Sequence, residues 1–116
     1  MSQQELNNAY AREYAFLDAL YQDPTYPTHV LDKIKDILIG VCGQIERSEI
    51  KSTIELYQLT HAATEMINDL EEEFFEADSE LDTMAAEVLA GDFIFIAEAY
   101  DFDDAEVEEM IAPRMW

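Results

Sequence analysis

The feature that most restricts the fold is an apolar stripe at helical spacing between residues 53 and 77. Apolar residues recur there three or four positions apart, which places their side chains on one side of an α-helix. The members of this stripe are Leu56, Leu59, Ala63, Met66, Ile67, Leu70 and Phe74. Ser52 precedes the stripe and Glu55 follows it by three residues, which is the spacing of a capping box. The sequence therefore predicts a long helix from about Thr53 to Ala77.

The same spacing predicts helices on both sides of this one. A first helix runs from about Gln3 to Tyr21 and a second from about His29 to Arg47, separated by the segment "QDPTYPT". A fourth helix begins after Ser79, and a short fifth runs from about Asp104 to Ala112. The 116 residues include only three Gly and three Pro, so few segments are interrupted. We therefore predict an all-α fold, a single compact domain built as a bundle of four to five helices.

Two details of these helices stay open. At "AGDFIFIAEAY" Gly91 either ends a helix or lies within one that is buried nearly all round, and Phe93–Ile96 also allows a short strand. Gly40 and Gly43 interrupt the second helix, and each costs about 1 kcal/mol relative to Ala in a helix interior. We predict that another helix crosses close to these glycines, and that the packing gained there compensates for their cost.

Charge is distributed unevenly along the chain. Residues 1–51 contain eight acids and five Lys or Arg, whereas residues 52–113 contain nineteen acids and neither Lys nor Arg. The net charge of the whole chain is −21. Binding to nucleic acid or to anionic membranes is disfavoured, because both require cationic side chains. The partners that such a field attracts are basic proteins, polyamines or divalent metals.

Cysteine use and the apolar runs predict a cytoplasmic protein. Cys42 is the only cysteine, so no intramolecular disulfide forms, and its place on an apolar stripe predicts a small core residue. The N-terminus "MSQQELNNAY" lacks the features of a signal peptide. The longest apolar runs, "ILIGVCG" and "FIFIA", are far shorter than the ~20 residues that a membrane span needs.

Three segments resemble a known family. They are "LYQDPTYPTHVLDKIKDIL", "LYQLTHAATEMINDLEEEF" and "DFIFIAEAYDFDDAEVEEMIAPRMW", and "LTHAATE" is the most specific part. Together they are similar to a family of short acidic bacterial proteins known only as a domain of unknown function, over roughly residues 15–116. The resemblance implies a bacterial cytoplasmic protein with a single compact domain. It implies no activity, ligand or catalytic residue.

One group of polar residues on the third predicted helix is a candidate binding face. Its members share one side of the helix, away from the apolar stripe, and are His61, Thr64, Glu65, Asn68 and Glu72. A His one turn before a carboxylate is typical of a general base or of half a metal site. The same residues are also typical of a contact between helices, hydrogen-bonded to their neighbours. Spacing alone does not separate these two interpretations.

A second candidate is a metal site made of carboxylates. Glu73 and Glu76, followed by Glu98 and Asp101, match the ExxE…ExxD pattern of the all-α nucleotide pyrophosphohydrolases. Carboxylates at i and i+3 on two facing helices hold Mg²⁺, which binds a substrate triphosphate. The pattern is weakly specific in so acidic a segment, and no Lys or Arg lies nearby to hold phosphate. This hydrolase is the alternative function.

The acidic surface itself carries the leading hypothesis. Like charges one turn apart destabilise a helix, and solubility needs a net charge of only about 2–8 in a small domain. We therefore predict a non-catalytic interaction protein that binds a basic protein surface, as inhibitors, immunity proteins or DNA mimics do, without a cofactor. The predicted binding residues are His61, Thr64, Glu65, Asn68, Glu72, Glu76, Glu108 and Glu109. The chain is expected to be a monomer or a homodimer formed through "IAPRMW".

Overall fold

The N-terminal segment forms short helical pieces in the computed structural model, which describes residues 2–116. A 3₁₀ turn at Gln3–Glu5 is followed by α1 (Ala9–Glu13) and α2 (Asp18–Tyr21). The predicted continuous helix is therefore wrong, although its residues are largely helical. Contacts distant in sequence replace the helical hydrogen bonds, since the Gln3 side-chain amide donates to the Tyr14 carbonyl over 2.6 Å. Such tertiary contacts override local propensity.

The second and third predicted helices form close to their expected positions. α3 spans Thr28–Ser48, and α4 spans Thr53–Asn68. Ser52 caps α4 by accepting from the Glu55 N–H over 3.2 Å, as its sequence position predicts. The predicted extension to Ala77 is interrupted, because the Leu70 N–H bonds to the Ile67 carbonyl in a tightened last turn. The chain then continues as the short helix α5 (Glu71–Glu76).

The ambiguous segment at Gly91 is continuous helix. α6 spans Thr83–Ala99, and the Asp82 side chain caps its start. Its buried residues, among them Asp92, Phe93, Ile96 and Ala97, share one side of the helix. Gly91, Ile94 and Glu98 on the other side are exposed, so the alternative of a helix buried nearly all round is wrong. No strand forms anywhere in residues 2–116. The last helix, α7 (Val107–Met110), is shorter than predicted and begins after Glu106.

The helices enclose one core. α3 contributes the most to it, and its apolar stripe is buried along the whole helix, at Val30, Ile34, Leu38, Val41, Cys42 and Ile45. Side chains from α1, α2, α4, α5, α6 and α7 complete the same core. The radius of gyration is 13.5 Å, close to the ~13 Å expected for a single domain of this length. The fold is therefore the predicted all-α single compact domain. None of the helices described for residues 2–116 combines the length and apolar character that crossing a bilayer requires.

A close helix crossing is predicted at Gly40 and Gly43, and at Gly40 this prediction is wrong. A Cβ atom placed on Gly40 would meet no other atom within 4 Å, so no helix approaches it closely. Gly40 instead lines an open apolar groove of about 360 Å³ between α3 and α4, with Leu59 and Met66 on its opposite wall. The side chain of Met66, which the helical stripe placed in the core, is 53% exposed at this groove.

Candidate functional site

The predicted polar face of α4 contacts the C-terminal segment of the same chain. His61 lies 2.6 Å from the carbonyl oxygen of Glu109, measured from Nε2. A carbonyl only accepts hydrogen bonds, so His61 carries its proton on Nε2 in this contact. Thr64 is fully buried and donates to the carbonyl of Thr60, one turn earlier, over 2.7 Å. Thr64 therefore lies beneath the surface that was predicted to include it.

Asn68 fixes the end of the chain against α4. Its side-chain amide donates to the Pro113 carbonyl over 3.0 Å, and its side-chain oxygen accepts from the Met115 N–H over 2.9 Å. These two bonds satisfy both ends of the amide group. Asn68 and His61 thus fix the position of residues 109–115, and with it the position of Trp116 at the end of the chain.

The carboxylates in the predicted binding set are arranged differently from these polar residues. Glu65, Glu72, Glu76, Glu108 and Glu109 are all exposed. Among the residues that the structure describes, Glu108 is the only one of these five in an ion pair, at 3.7 Å from Arg114. Because α7 packs against α4, Glu65 and the two α7 glutamates border one region of the surface.

The four residues of the predicted metal site do not form a cluster. No three His, Cys, Asp or Glu side chains within residues 2–116 lie close enough together to hold a metal ion. Glu73 is paired with Lys33 of α3, with its Oε1 atom 2.6 Å from the ammonium nitrogen. Glu76, Glu98 and Asp101 are exposed. The convergence that a pyrophosphohydrolase-like centre requires is thus not found in this part of the chain.

Some of the acidic residues stabilise helix starts. Glu71, Glu72 and Glu73 occupy the first turn of α5, where the partial positive charge of the helix terminus favours carboxylates. Asp82 accepts from the Ala85 N–H over 3.0 Å at the start of α6, and its other contact is the hydroxyl of Tyr26. Local structure therefore explains part of the acidic composition, although most carboxylates remain directed to solvent.

A buried carboxylate that the sequence did not identify lies in α6. Asp92 is 4% exposed, and it accepts from the Tyr14 hydroxyl over 2.8 Å and from the Leu17 N–H over 2.9 Å. Burial raises the pKa of Asp92, while these two hydrogen bonds oppose the rise. Its role is to hold the loop between α1 and α2. The only sequence signal is a single Asp within the apolar run "GDFIFIA".

Cys42 is a core residue, as predicted. Its side chain is fully buried, and burial raises the pKa of the thiol to about 12. A thiol in this environment stays protonated and unreactive at neutral pH.

A concave surface at the C-terminal end was also missed by the sequence analysis. We name it the Trp116 pocket, and its volume is about 460 Å³. Its lining residues are Glu71, Glu72, Phe75, Ser79, Glu80, Leu81, Met115 and Trp116. Trp116 is half-buried against the core. The pocket is formed by α5, the link to α6 and the segment that Asn68 holds.

These features define a class of protein: a small all-α domain with a strongly acidic surface. The chain belongs to a family of unknown function (DUF5713), whose model matches residues 10–116. This match confirms the predicted resemblance to a domain of unknown function. No curated protein matches the chain. Among solved structures, likewise, none matches it.

Proposed function

We propose that this protein is a non-catalytic interaction protein that binds a basic protein surface. One observation carries the proposal. Of the nineteen acids between residues 52 and 113, sixteen are exposed, whereas only two ion pairs occur in the described part of the chain. The field of these carboxylates is therefore not neutralised within the molecule, and it attracts cationic partners.

The proposed contact surface is formed by the exposed carboxylates of α4, α5 and α7. These are Glu65, Glu72, Glu76, Glu108 and Glu109. His61 and Asn68 stabilise this surface, because their side chains hydrogen-bond to the backbone of the C-terminal segment and hold it in place. A rigid helical support reduces the entropy that is lost on binding, and the charge raises the association rate by about 10- to 1,000-fold.

The scarcity of ion pairs in the described part of the chain argues that the acidic surface has a function beyond solubility. Exposed carboxylates one turn apart repel each other by a few tenths of a kcal/mol for each pair, and the sequence provides no Lys or Arg between residues 52 and 113 to offset this. A net charge of −21 is also well beyond the magnitude of about 2–8 that keeps a small domain soluble. We propose that the binding takes place in the cytoplasm, in keeping with a single, buried cysteine.

The test is retention of a basic protein from cell lysate on the immobilised chain. We expect a discrete basic protein to bind at about 0.05 M salt and to dissociate at about 0.5 M, where exposed charges are screened. The retained protein is then purified, and its affinity is measured by titration calorimetry against two variants of equal charge. The first variant replaces the five carboxylates of the proposed surface by Gln: Glu65, Glu72, Glu76, Glu108 and Glu109.

The control variant removes five exposed carboxylates from the N-terminal half. It replaces by Gln or Asn the residues Glu13, Asp18, Asp32, Asp36 and Glu49. We expect the surface variant to bind at least about fivefold more weakly than the control, since each of the five exposed contacts contributes about 0.2–1 kcal/mol. Failure to retain any basic protein at low salt would refute the proposed function.

A further inference from the structure

The Trp116 pocket brings together apolar and anionic groups that the fold does not use. Phe75 is 80% exposed and Met115 is 77% exposed, and both line this one concavity. Phe74, the neighbour of Phe75 in α5, is fully buried and anchors the helix to the core. Phe75 therefore faces outward on a fixed support. Exposed aromatic side chains in a concave site are typical of binding surfaces.

The pocket is formed before any partner binds. Its Met115 side is held by Asn68, whose two hydrogen bonds lie within 3.0 Å. Leu81 and Trp116, which also line it, are half-buried and pack against the core. Its volume of about 460 Å³ lies within the range of about 300–1,000 Å³ that is usual for binding pockets.

The charged groups of the pocket are all negative. Glu71, Glu72 and Glu80 line it, and its lining contains no Lys, Arg or His. A fatty or otherwise neutral apolar occupant would remove water from these carboxylates without pairing them, which is costly. An anionic occupant would be repelled. A side chain with an apolar stem and a cationic head matches both parts of the surface.

An arginine of the chain itself lies beside the same indole ring. On the neighbouring side of Trp116, the guanidinium carbon of Arg114 lies 5.7 Å from the centre of the indole ring. Arg114 shares that second concavity with Glu80 and Asp82. A planar guanidinium both stacks on aromatic rings and pairs with carboxylates, which an ammonium group does less well.

We propose that the Trp116 pocket binds an arginine side chain of a basic partner. The stem of the arginine packs on Phe75 and Met115, and its guanidinium pairs with Glu72 and Glu80. This inference rests on the proposed function, because it locates the point at which a basic protein docks. It adds a site and a residue type to what surface charge alone provides.

The probe for the test is a hexa-arginine peptide amide, titrated into the full chain at about 0.05 M salt. Trp116 is the only tryptophan in the sequence, so intrinsic fluorescence reports on this pocket directly. We expect binding to change the Trp116 emission with the same midpoint that titration calorimetry gives. A hexa-citrulline peptide has a similar shape without charge and should leave the emission unchanged.

Two double variants of equal net charge separate the pocket from the general field. Glu72→Gln with Glu80→Gln removes two carboxylates of the pocket, and Glu13→Gln with Glu98→Gln removes two exposed carboxylates that lie outside it. We expect the first variant to bind the peptide about five- to tenfold more weakly than the wild type, and the second less than twofold. Phe75→Ala, at a side chain that is almost fully exposed, should weaken binding about threefold without loss of folding.

Equal weakening by the two double variants, or a constant Trp116 emission at saturation, would overturn the pocket and leave the proposed function intact. Sedimentation of the wild type as a dimer that Phe75→Ala dissociates would overturn it as well, because the pocket would then be covered by a second copy. If the wild type binds no cationic peptide at low salt, both the pocket and the proposed function fail.

Discussion

Replacing Asp92 tests how the two halves of the chain are held together. Its carboxylate joins α6 to the loop between α1 and α2 through the Tyr14 hydroxyl and the Leu17 N–H. Leu17 has a φ of 59°, in the left-handed region that residues other than Gly seldom adopt. The bond from Asp92 is thus a main restraint on an unfavourable backbone conformation.

The Asp92→Ala variant should lose about 2–4 kcal/mol of unfolding free energy. It leaves the buried Leu17 N–H without an acceptor, which costs about 1–3 kcal/mol. It also takes the acceptor away from the Tyr14 hydroxyl, and the loss of that hydrogen bond costs about 0.5–1.5 kcal/mol more. The Asp92→Asn variant should stay within about 1 kcal/mol of the wild type at neutral pH, because an amide accepts from Leu17 and donates to Tyr14 in the same space.

The pH dependence of the same pair of proteins follows from the raised pKa of Asp92. A carboxyl group whose pKa is higher in the folded state stabilises the fold when it is protonated, and this contribution is lost as pH rises through the folded pKa. The loss begins above the reference value of 3.8 for the unfolded chain. Asn does not titrate, so the stability of Asp92→Asn relative to the wild type should increase with pH over this window and stay constant above it.

Urea unfolding, followed by far-UV circular dichroism from about pH 4 to about pH 8, measures all three proteins. We expect the Ala variant to lose much of its free energy of unfolding. We also expect the difference in unfolding free energy between the Asn variant and the wild type to grow with pH. An Ala variant as stable as the wild type would refute the structural role of Asp92. A difference between Asn and wild type that decreases with pH would refute the assigned direction of the pKa shift.

Three further predictions concern charge, helix propensity and a second carboxylate. Moderate NaCl should raise the melting temperature, by about 3–6 °C for each kcal/mol of repulsion relieved, and a scan that shows no rise would mean that the charges do not repel. Gly91→Ala should add about 0.5–1 kcal/mol in urea unfolding, since Gly91 is an exposed helical position with no atom within 4 Å of a new Cβ, and a loss would reveal a contact there. The second carboxylate is Glu46. Desolvation raises its pKa, but hydrogen bonds from the Asn7 and Asn8 N–H groups and from the Tyr100 hydroxyl lower it by more, so that the net shift is downward. Glu46→Gln should therefore cost about 1–2 kcal/mol at neutral pH, and this cost should disappear as acid protonates the wild-type carboxyl; a cost that is constant in pH would contradict it.

The helical class was predictable because its signal is local. In α3 the apolar residues that recur at helical spacing are buried, since a helix with one apolar side has a single way to cover it. The same reasoning placed Ser52 at the start of α4, where its side chain accepts the expected hydrogen bond. Spacing along one helix thus determines both the element and the side that packs.

The N-terminal segment and the buried carboxylate were not predictable for the opposite reason. The break between α1 and α2 depends on Asp92, which lies 75 residues further along the chain from Leu17. Before folding, nothing near Leu17 distinguishes it from the helical residues around it. Met66 shows the same limit, because its spacing assigns it to the core while Gly40 leaves the opposite wall of the groove open.

The polar face of α4 shows why residue spacing alone could not distinguish a binding site from residues that stabilise the fold. A histidine and an asparagine two turns apart have the same pattern whether they contact a ligand or a segment of their own chain. In the folded protein His61 and Asn68 bind backbone atoms of residues 109–115, so their polarity serves the fold. Of the exposed carboxylates of the proposed surface, only Glu108 pairs with another of the described residues, which is Arg114. The two kinds of polar residue therefore differ in what they contact. The uncharged residues hold the C-terminal segment, which completes the Trp116 pocket. The anionic residues and this pocket are available to bind a molecule of opposite charge.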